Sequence, residues 1–241
     1  VKPFYDRVDK MIGIFGTNEG LENDPDGYFL PPPRPRLHEL MIKNGATQAG
    51  VRVIPSRLSI LTKPIENDAG RGACFFCAQC SRNCSMAKAD FSSPNVLIYP
   101  AMKTGKVEVI SNAMAREVLT NKEGLATGVS FVSKDDMMEY QVEGKVVIVA
   151  ASACESARLL LNSKSQRHPN GLANGSDVVG RHYMGHINSV LMAVSKCPNP
   201  TVFQKTLAVN DFYFGSKEWA YPMGHISFVG KLDGVALSAG A

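Results

Sequence analysis

No apolar run in this 241-residue chain approaches the ~20 residues that a membrane-spanning helix requires, so no such helix is expected. Charge of one sign is also scarce. The 26 basic and 22 acidic residues leave a net charge of only +4, and the Lys and Arg are scattered, so nothing argues for nucleic acid as a partner. There is no internal repeat, no Ser-His-Asp order and no paired-carboxylate motif, which leaves hydrolytic chemistry without a signature. An initiator Met and a recognisable leader are lacking too. The chain opens Val1-Lys2-Pro3-Phe4-Tyr5 and closes Ala239-Gly240-Ala241, and the expectation is an internal piece of a longer protein. The 44% hydrophobic and 20% charged content describes a soluble globular chain with a sizeable core.

The most informative segment is Lys145 to Asn162, KVVIVAASACESARLLLN. Val146 to Val149 form a continuous apolar run, as in a strand buried on both faces of a mostly parallel sheet. Ala150, Ala151, Ser152 and Ala153 carry little bulk, so another group can approach the backbone closely. Ser152 and Glu155 have capping-box spacing, which predicts a helix carrying Arg158 to Leu161. A strand, a bare turn and a helix N-terminus make a common seat for a nucleotide, because free amides and the helix dipole face it. An ordinary buried strand–helix joint would look the same.

Upstream, the pattern is antiparallel. Val107 and Val109 alternate with polar neighbours, and a short strand is expected around Ala115 to Leu119. A turn at Asn121 to Gly124, alternation at Val129 and Phe131, a turn at Lys134 to Asp136 and alternation from Met138 to Val142 complete a three-stranded meander. Nearer the N-terminus, Tyr5 to Phe15 has helical spacing with Gly16 as its stop, and Leu30 to Leu37 should be extended polyproline. His38 to Lys43 reads as a short helix ended by Asn44-Gly45, and Val51 to Ile54 as a strand. Phe212, Phe214, Ile226 and Phe228 alternate as sheet strands do.

Cys74, Cys77, Cys80 and Cys84 give C-x2-C-x2-C-x3-C. Three thiolates at this spacing can wrap an iron–sulfur cluster, as in bacterial ferredoxins, although Ser85 replaces the usual Pro. A fourth ligand would come from within the run or from Cys154 or Cys197. Free or partly paired structural thiols remain an alternative; zinc and disulfides suit so compact a run poorly. Cys154 would fall in a first helical turn, where a thiol pKa can drop, or it is a small buried filler. His182 and His186 are four apart, but Gly180 and Gly185 argue against a helix there, and His168 lies in a polar loop; none is assigned.

These pieces, in this order, resemble the glucose–methanol–choline (GMC) family of FAD-dependent oxidoreductases, and bacterial dehydrogenase-type members with a cysteine-rich loop in particular. The likeness rests on RGACFFCAQCSRNC, FSSPNVLIYPAMKTGKVEVISNAMAREV, GLATGVSFV, VVIVAASACESARLLLNS and GLANGSDVVGRHYMGHIN. It implies an α/β fold, α+β in part: a partial three-layer FAD-binding domain with an inserted antiparallel meander, followed by the start of a mixed-sheet substrate domain. The implied limits are 1–69 for a peripheral cap and linker, 70–186 for part of the FAD domain, and 187–241 for the start of the substrate domain. It further implies FAD as cofactor, contacted by the backbone at Ala115 and by the turn of Ala150, Ala151 and Ser152, where many members carry Gly at the last position.

The family's reaction is oxidation of an alcohol or sugar, with an electron-accepting protein or quinone downstream. Some members with such cysteines hold a three-iron cluster, which would use Cys74, Cys77, Cys80 and Cys84. The Gly-rich fingerprint is expected before Val1 and the catalytic His beyond Ala241, so no residue here inherits a catalytic role. Rival expectations are an iron–sulfur electron-transfer module and a flavoprotein-like scaffold without catalysis. The resemblance points to a soluble bacterial protein of the cytoplasm or periplasm.

Overall fold

The structure, a computed structural model, describes residues 1–66, 70–76, 87–191, 193, 196 and 206–228. It divides into two compact units, one of residues 1–107 with 194–241 and one of residues 108–193.

In the first unit, α1 (Lys2–Ile12) stops at Gly13, whose backbone is left-handed (φ 76°). A side chain there would also meet the Leu61 side chain at 2.2 Å, so this position demands glycine twice over. The helix therefore ends three residues before the expected Gly16. Phe15 lies outside it, fully buried, exchanging backbone hydrogen bonds with Leu58 at 3.0 and 3.2 Å. The helix α2 (Leu37–Gln48) also departs from expectation, since it runs through Asn44 and Gly45. Neither residue stops a helix whose first turn is anchored as firmly as this one is.

That anchor is Glu39. It is 0% exposed and Arg36 only 2%, and the two form an ion pair at 2.8 Å. The Glu39 carboxylate also accepts the Arg36 backbone N–H at 3.0 Å, the N–H groups of Thr206 and Leu207 at 2.9 and 3.1 Å, and the Thr206 hydroxyl. Burial pushes its pKa up, but the hydrogen bonds from Arg36 and Thr206 outweigh that and hold it at about 2. The latch delivers residue 206 to the start of β5 (Leu207–Val209), which pairs antiparallel with β1 (Ile54–Pro55) and with β6 (Ile226–Ser227). Residues of the first and last expected segments thus meet in one sheet. Val53, Leu207 and Val209 are its buried core, with Ala46, Val51, Phe212 and Phe228 packed around them. The strand expected at 51–54 shrinks to its last residue plus Pro55. Phe212 and Phe214 lie in a turn rather than a strand, leaving residues 207–209 and 226–227 to make the sheet.

The second unit is built as its alternation dictates. β2 (Ala113–Thr120), β3 (Ala126–Ser133) and β4 (Glu139–Glu143) form an antiparallel meander in that order. Gly128 is required at the β3–β4 crossing, where a Cβ would sit 2.3 Å from the Val142 carbonyl oxygen. The helix α4 (Ser152–Asn162) follows as predicted, but not through the predicted cap. Glu155 pairs with Arg158 at 2.6 Å, and the Ala151 N–H donates to Ser156 Oγ at 3.1 Å. Ser152 takes a left-handed backbone (φ 68°), so it cannot act as the extended N-cap of a capping box.

Two expected strands do not form. Val107 and Val109 are unpaired, although a helix precedes them: a π-helical turn (Pro94–Ile98) running into α3 (Tyr99–Lys103), which the sequence reading did not anticipate. Val146 to Val149 belong to no strand, with Val146 77% and Ile148 84% exposed. Burial on both faces needs hydrogen-bonded neighbours, and among the described residues no strand lies beside this run. The ladders that do form are all antiparallel.

Candidate functional site

Ala115, one of the expected site residues, lies on the edge strand β2. Lys134 N–H donates to Asn112 O at 2.8 Å, and pairing then runs Ala113 with Ser133, Met114 with Val132 and Ala115 with Phe131. Antiparallel partners alternate between bonded and non-bonded pairs, so counting from Asn112 places Ala115 in a non-bonded pair. Its N–H and C=O therefore face away from β3. On the other strand, Ser133 N–H turns to Met138 O on the β4 side at 2.9 Å, as the same alternation requires. A bulge between Ala115 and Glu117 then shifts the register.

Along this edge lies α4. Arg158 Nη2 donates to Ala115 O at 3.0 Å, and Val118 N–H donates to Ser163 Oγ at 2.8 Å. Later helix positions thus meet later strand positions, so helix and strand run in the same sense. Ser152 precedes Arg158 by six residues, about 9 Å along the axis at 1.5 Å per residue. The elbow of Ala150, Ala151 and Ser152 accordingly lies off the Ala115 end of the edge. All three elbow residues are exposed and none carries bulk. The first N–H groups of α4 have no partner within the helix by position.

Arg158 was missed in the sequence reading. Its signal was the i,i+3 spacing from Glu155, which was assigned to capping instead. The elbow's Ser152 occupies a left-handed position (φ 68°), which a residue with a Cβ adopts at a cost.

The cysteine run is described only at Cys74. Its N–H donates to Leu61 O at 2.7 Å, and Phe76 N–H donates to its sulfur at 3.3 Å. The neck of the loop is closed by Gly72 N–H to Ala87 O at 2.7 Å and by buried Arg71, which donates to the carbonyls of Ile12, Lys88 and Ala89. Cys77, Cys80, Cys84 and Cys197 lie outside the described residues. Among the described residues no group of three His, Cys, Asp or Glu is placed to hold a metal. Cys154, expected as a buried filler or an activated thiol, is exposed in the first turn of α4. His182 and His186 are exposed in irregular chain, and His168 is half-buried in a loop.

With this arrangement described, comparison with known proteins identifies the class. The GMC oxidoreductase family profile matches residues 36–188, and the chain belongs to that family. It is 28% identical over 244 residues to the 2-methyl-1,2-propanediol dehydrogenase of Mycolicibacterium austroafricanum, covering 98% of this chain and 43% of that protein. It is 27% identical over 197 residues to the fructose dehydrogenase large subunit of Gluconobacter japonicus, covering 77% and 34%. The paromamine 6'-oxidase of Streptomyces fradiae is 25% identical over 233 residues, covering 96% and 39%. The chain thus spans less than half the length of these relatives. Mixed helices and antiparallel sheets agree with part of the family's N-terminal domain, as the resemblance implied. Among the described residues no helix is long and apolar enough to cross a membrane.

Proposed function

We propose that the protein containing this chain is an FAD-dependent dehydrogenase that oxidises the CH–OH group of an alcohol or sugar, and that residues 108–193 hold the adenine end of its cofactor. The observation that carries this reading is the β2 edge. Ala115 turns an N–H donor and a C=O acceptor outward side by side, the complement of adenine's N1 acceptor and exocyclic amine donor. The elbow at Ala150, Ala151 and Ser152, at the N-terminus of α4, is then the turn at which the chain returns to the cofactor. Small exposed residues fit a group that must lie against main chain.

When bound, FAD would supply a hydride acceptor for oxidation of a CH–OH group to a carbonyl, a reaction that also needs a base for the hydroxyl proton. This chain's own contribution is to bind and orient. No residue in it is assigned as that base. The domain limits follow the resemblance: 70–186 as part of the FAD domain, flanked by 1–69 as cap and linker and 187–241 as the start of the substrate domain. An electron-accepting protein or quinone reoxidises the flavin. The names of the relatives, a 2-methyl-1,2-propanediol dehydrogenase, a fructose dehydrogenase large subunit and a paromamine 6'-oxidase, support a hydroxylated substrate.

The test is the visible spectrum of the purified protein under anaerobic conditions. A flavin band that bleaches on adding a diol or sugar is expected. No flavin band overturns the reading, and a band that no alcohol or sugar bleaches favours the scaffold without catalysis. Iron and acid-labile sulfide analysis of the same sample tests a cluster at Cys74, Cys77, Cys80 and Cys84. The amide donated to the Cys74 sulfur suits a cluster thiolate.

A further inference from the structure

We infer that Arg158 is the positioning residue for adenine recognition, holding the Ala115 carbonyl so that the β2 edge reads adenine in preference to other purines. This rests on the FAD reading above and adds to it a determinant of base specificity. Arg158 bridges two elements that no backbone ladder joins. Its Nε is fixed by Glu155 one turn earlier at 2.6 Å, and its Nη2 donates to Ala115 O at 3.0 Å. The bulge directly after Ala115 leaves this stretch of edge strand less constrained by β3 than its neighbours. A carbonyl oxygen has two lone pairs. Arg158 takes one and thereby sets the direction of the other, which is left for the exocyclic amine of the base. Ser163, at the far end of α4, fixes Val118 in the same manner, so the edge is clamped on both sides of the bulge. The Arg158 side chain is 38% exposed. Its role is therefore not explained by core packing.

The experiment compares FAD with its hypoxanthine analogue, in which the N1 acceptor becomes a donor and the amine becomes a carbonyl. Each is titrated by flavin fluorescence into the apo form of the protein containing this chain. Wild type is expected to prefer FAD. Arg158→Ala is expected to weaken FAD binding about tenfold, the scale of one charge-assisted hydrogen bond, while the analogue's affinity stays within about twofold. Glu155→Ala should move the same ratio by a smaller factor. If Arg158→Ala does not fold, Arg158→Gln, which keeps a neutral donor, is read by the same ratio. An unchanged FAD affinity overturns the inference. So does an equal loss for both dinucleotides, which would show a merely structural arginine. Absence of FAD binding by wild type overturns the flavin reading itself, and this inference with it.

Discussion

The two compact units are held together by opposite means. The meander of residues 108–193 is assembled from neighbours: tight turns at Asn121 to Gly124 and Lys134 to Asp136 join strands that pair in sequence order, and α4 fastens its edge through Arg158 and Ser163. The other unit is tied together across the chain by a buried ionic hub. Glu39 gathers an arginine side chain, three backbone amides and a hydroxyl, and its bonds to Thr206 span 167 residues. Local pairing degrades gradually when one member is lost. A buried ionic hub does not.

The largest expected effect is therefore at that hub. Glu39→Ala leaves the Arg36 charge and the Thr206 and Leu207 amides without their acceptor, and should cost about 3–5 kcal/mol in urea unfolding, the scale of half a buried ion pair. A loss below about 1 kcal/mol would erase the contrast between the units. The hub also predicts a pH signature. The folded pKa of about 2 lies below the usual 4.5, so Glu39's contribution is fully present above about pH 4.5 and is lost as the pH falls toward 2. The stability difference between wild type and Glu39→Gln should hold constant above about pH 4.5 and shrink as the pH falls toward 2.

Next comes the meander's tightest point. Gly128→Ala sets a Cβ 2.3 Å from the Val142 carbonyl oxygen and should cost about 1–3 kcal/mol. Faster amide exchange is expected in β3 and β4, with residues 54–55 and 207–209 unaffected. Ser163→Ala removes the acceptor of the buried Val118 N–H, about 1–2 kcal/mol by the same assay. Ser152→Gly relieves a left-handed serine and should raise stability by about 1 kcal/mol; a loss instead would mean the hydroxyl matters more than the backbone. The smallest effect is at Arg116, whose ion pair with Glu139 is exposed: Arg116→Ala should change stability by no more than about 0.5 kcal/mol.

The same contrast governs what could be read from the sequence. The meander was legible because alternation and turn residues act within a few positions, and the helix after Ser152 was legible for the same reason. The Glu39 latch was not, since nothing near His38 or Lys43 announces a partner at Thr206, and without it Asn44-Gly45 looked like a helix end. The run Val146 to Val149 shows the limit from the other side. Its composition specifies a strand that wants neighbours, but composition cannot supply them, and the described residues leave it exposed. At the candidate site, the family resemblance located Ala115 and the elbow. The tie between them through Arg158 emerged only in three dimensions, because it joins a side chain to a backbone 43 positions away.

The span of the Glu39 latch has a consequence during synthesis. A ribosome adding about 5–20 residues per second needs on the order of 10–30 s to travel from the acid to its distant amides. Throughout that interval the Glu39 carboxylate has Arg36 but not the Thr206 and Leu207 amides, and residues 108–193 are finished before those amides are made. The order of birth and the order of closure are thus reversed: the segment made first is the one that must wait.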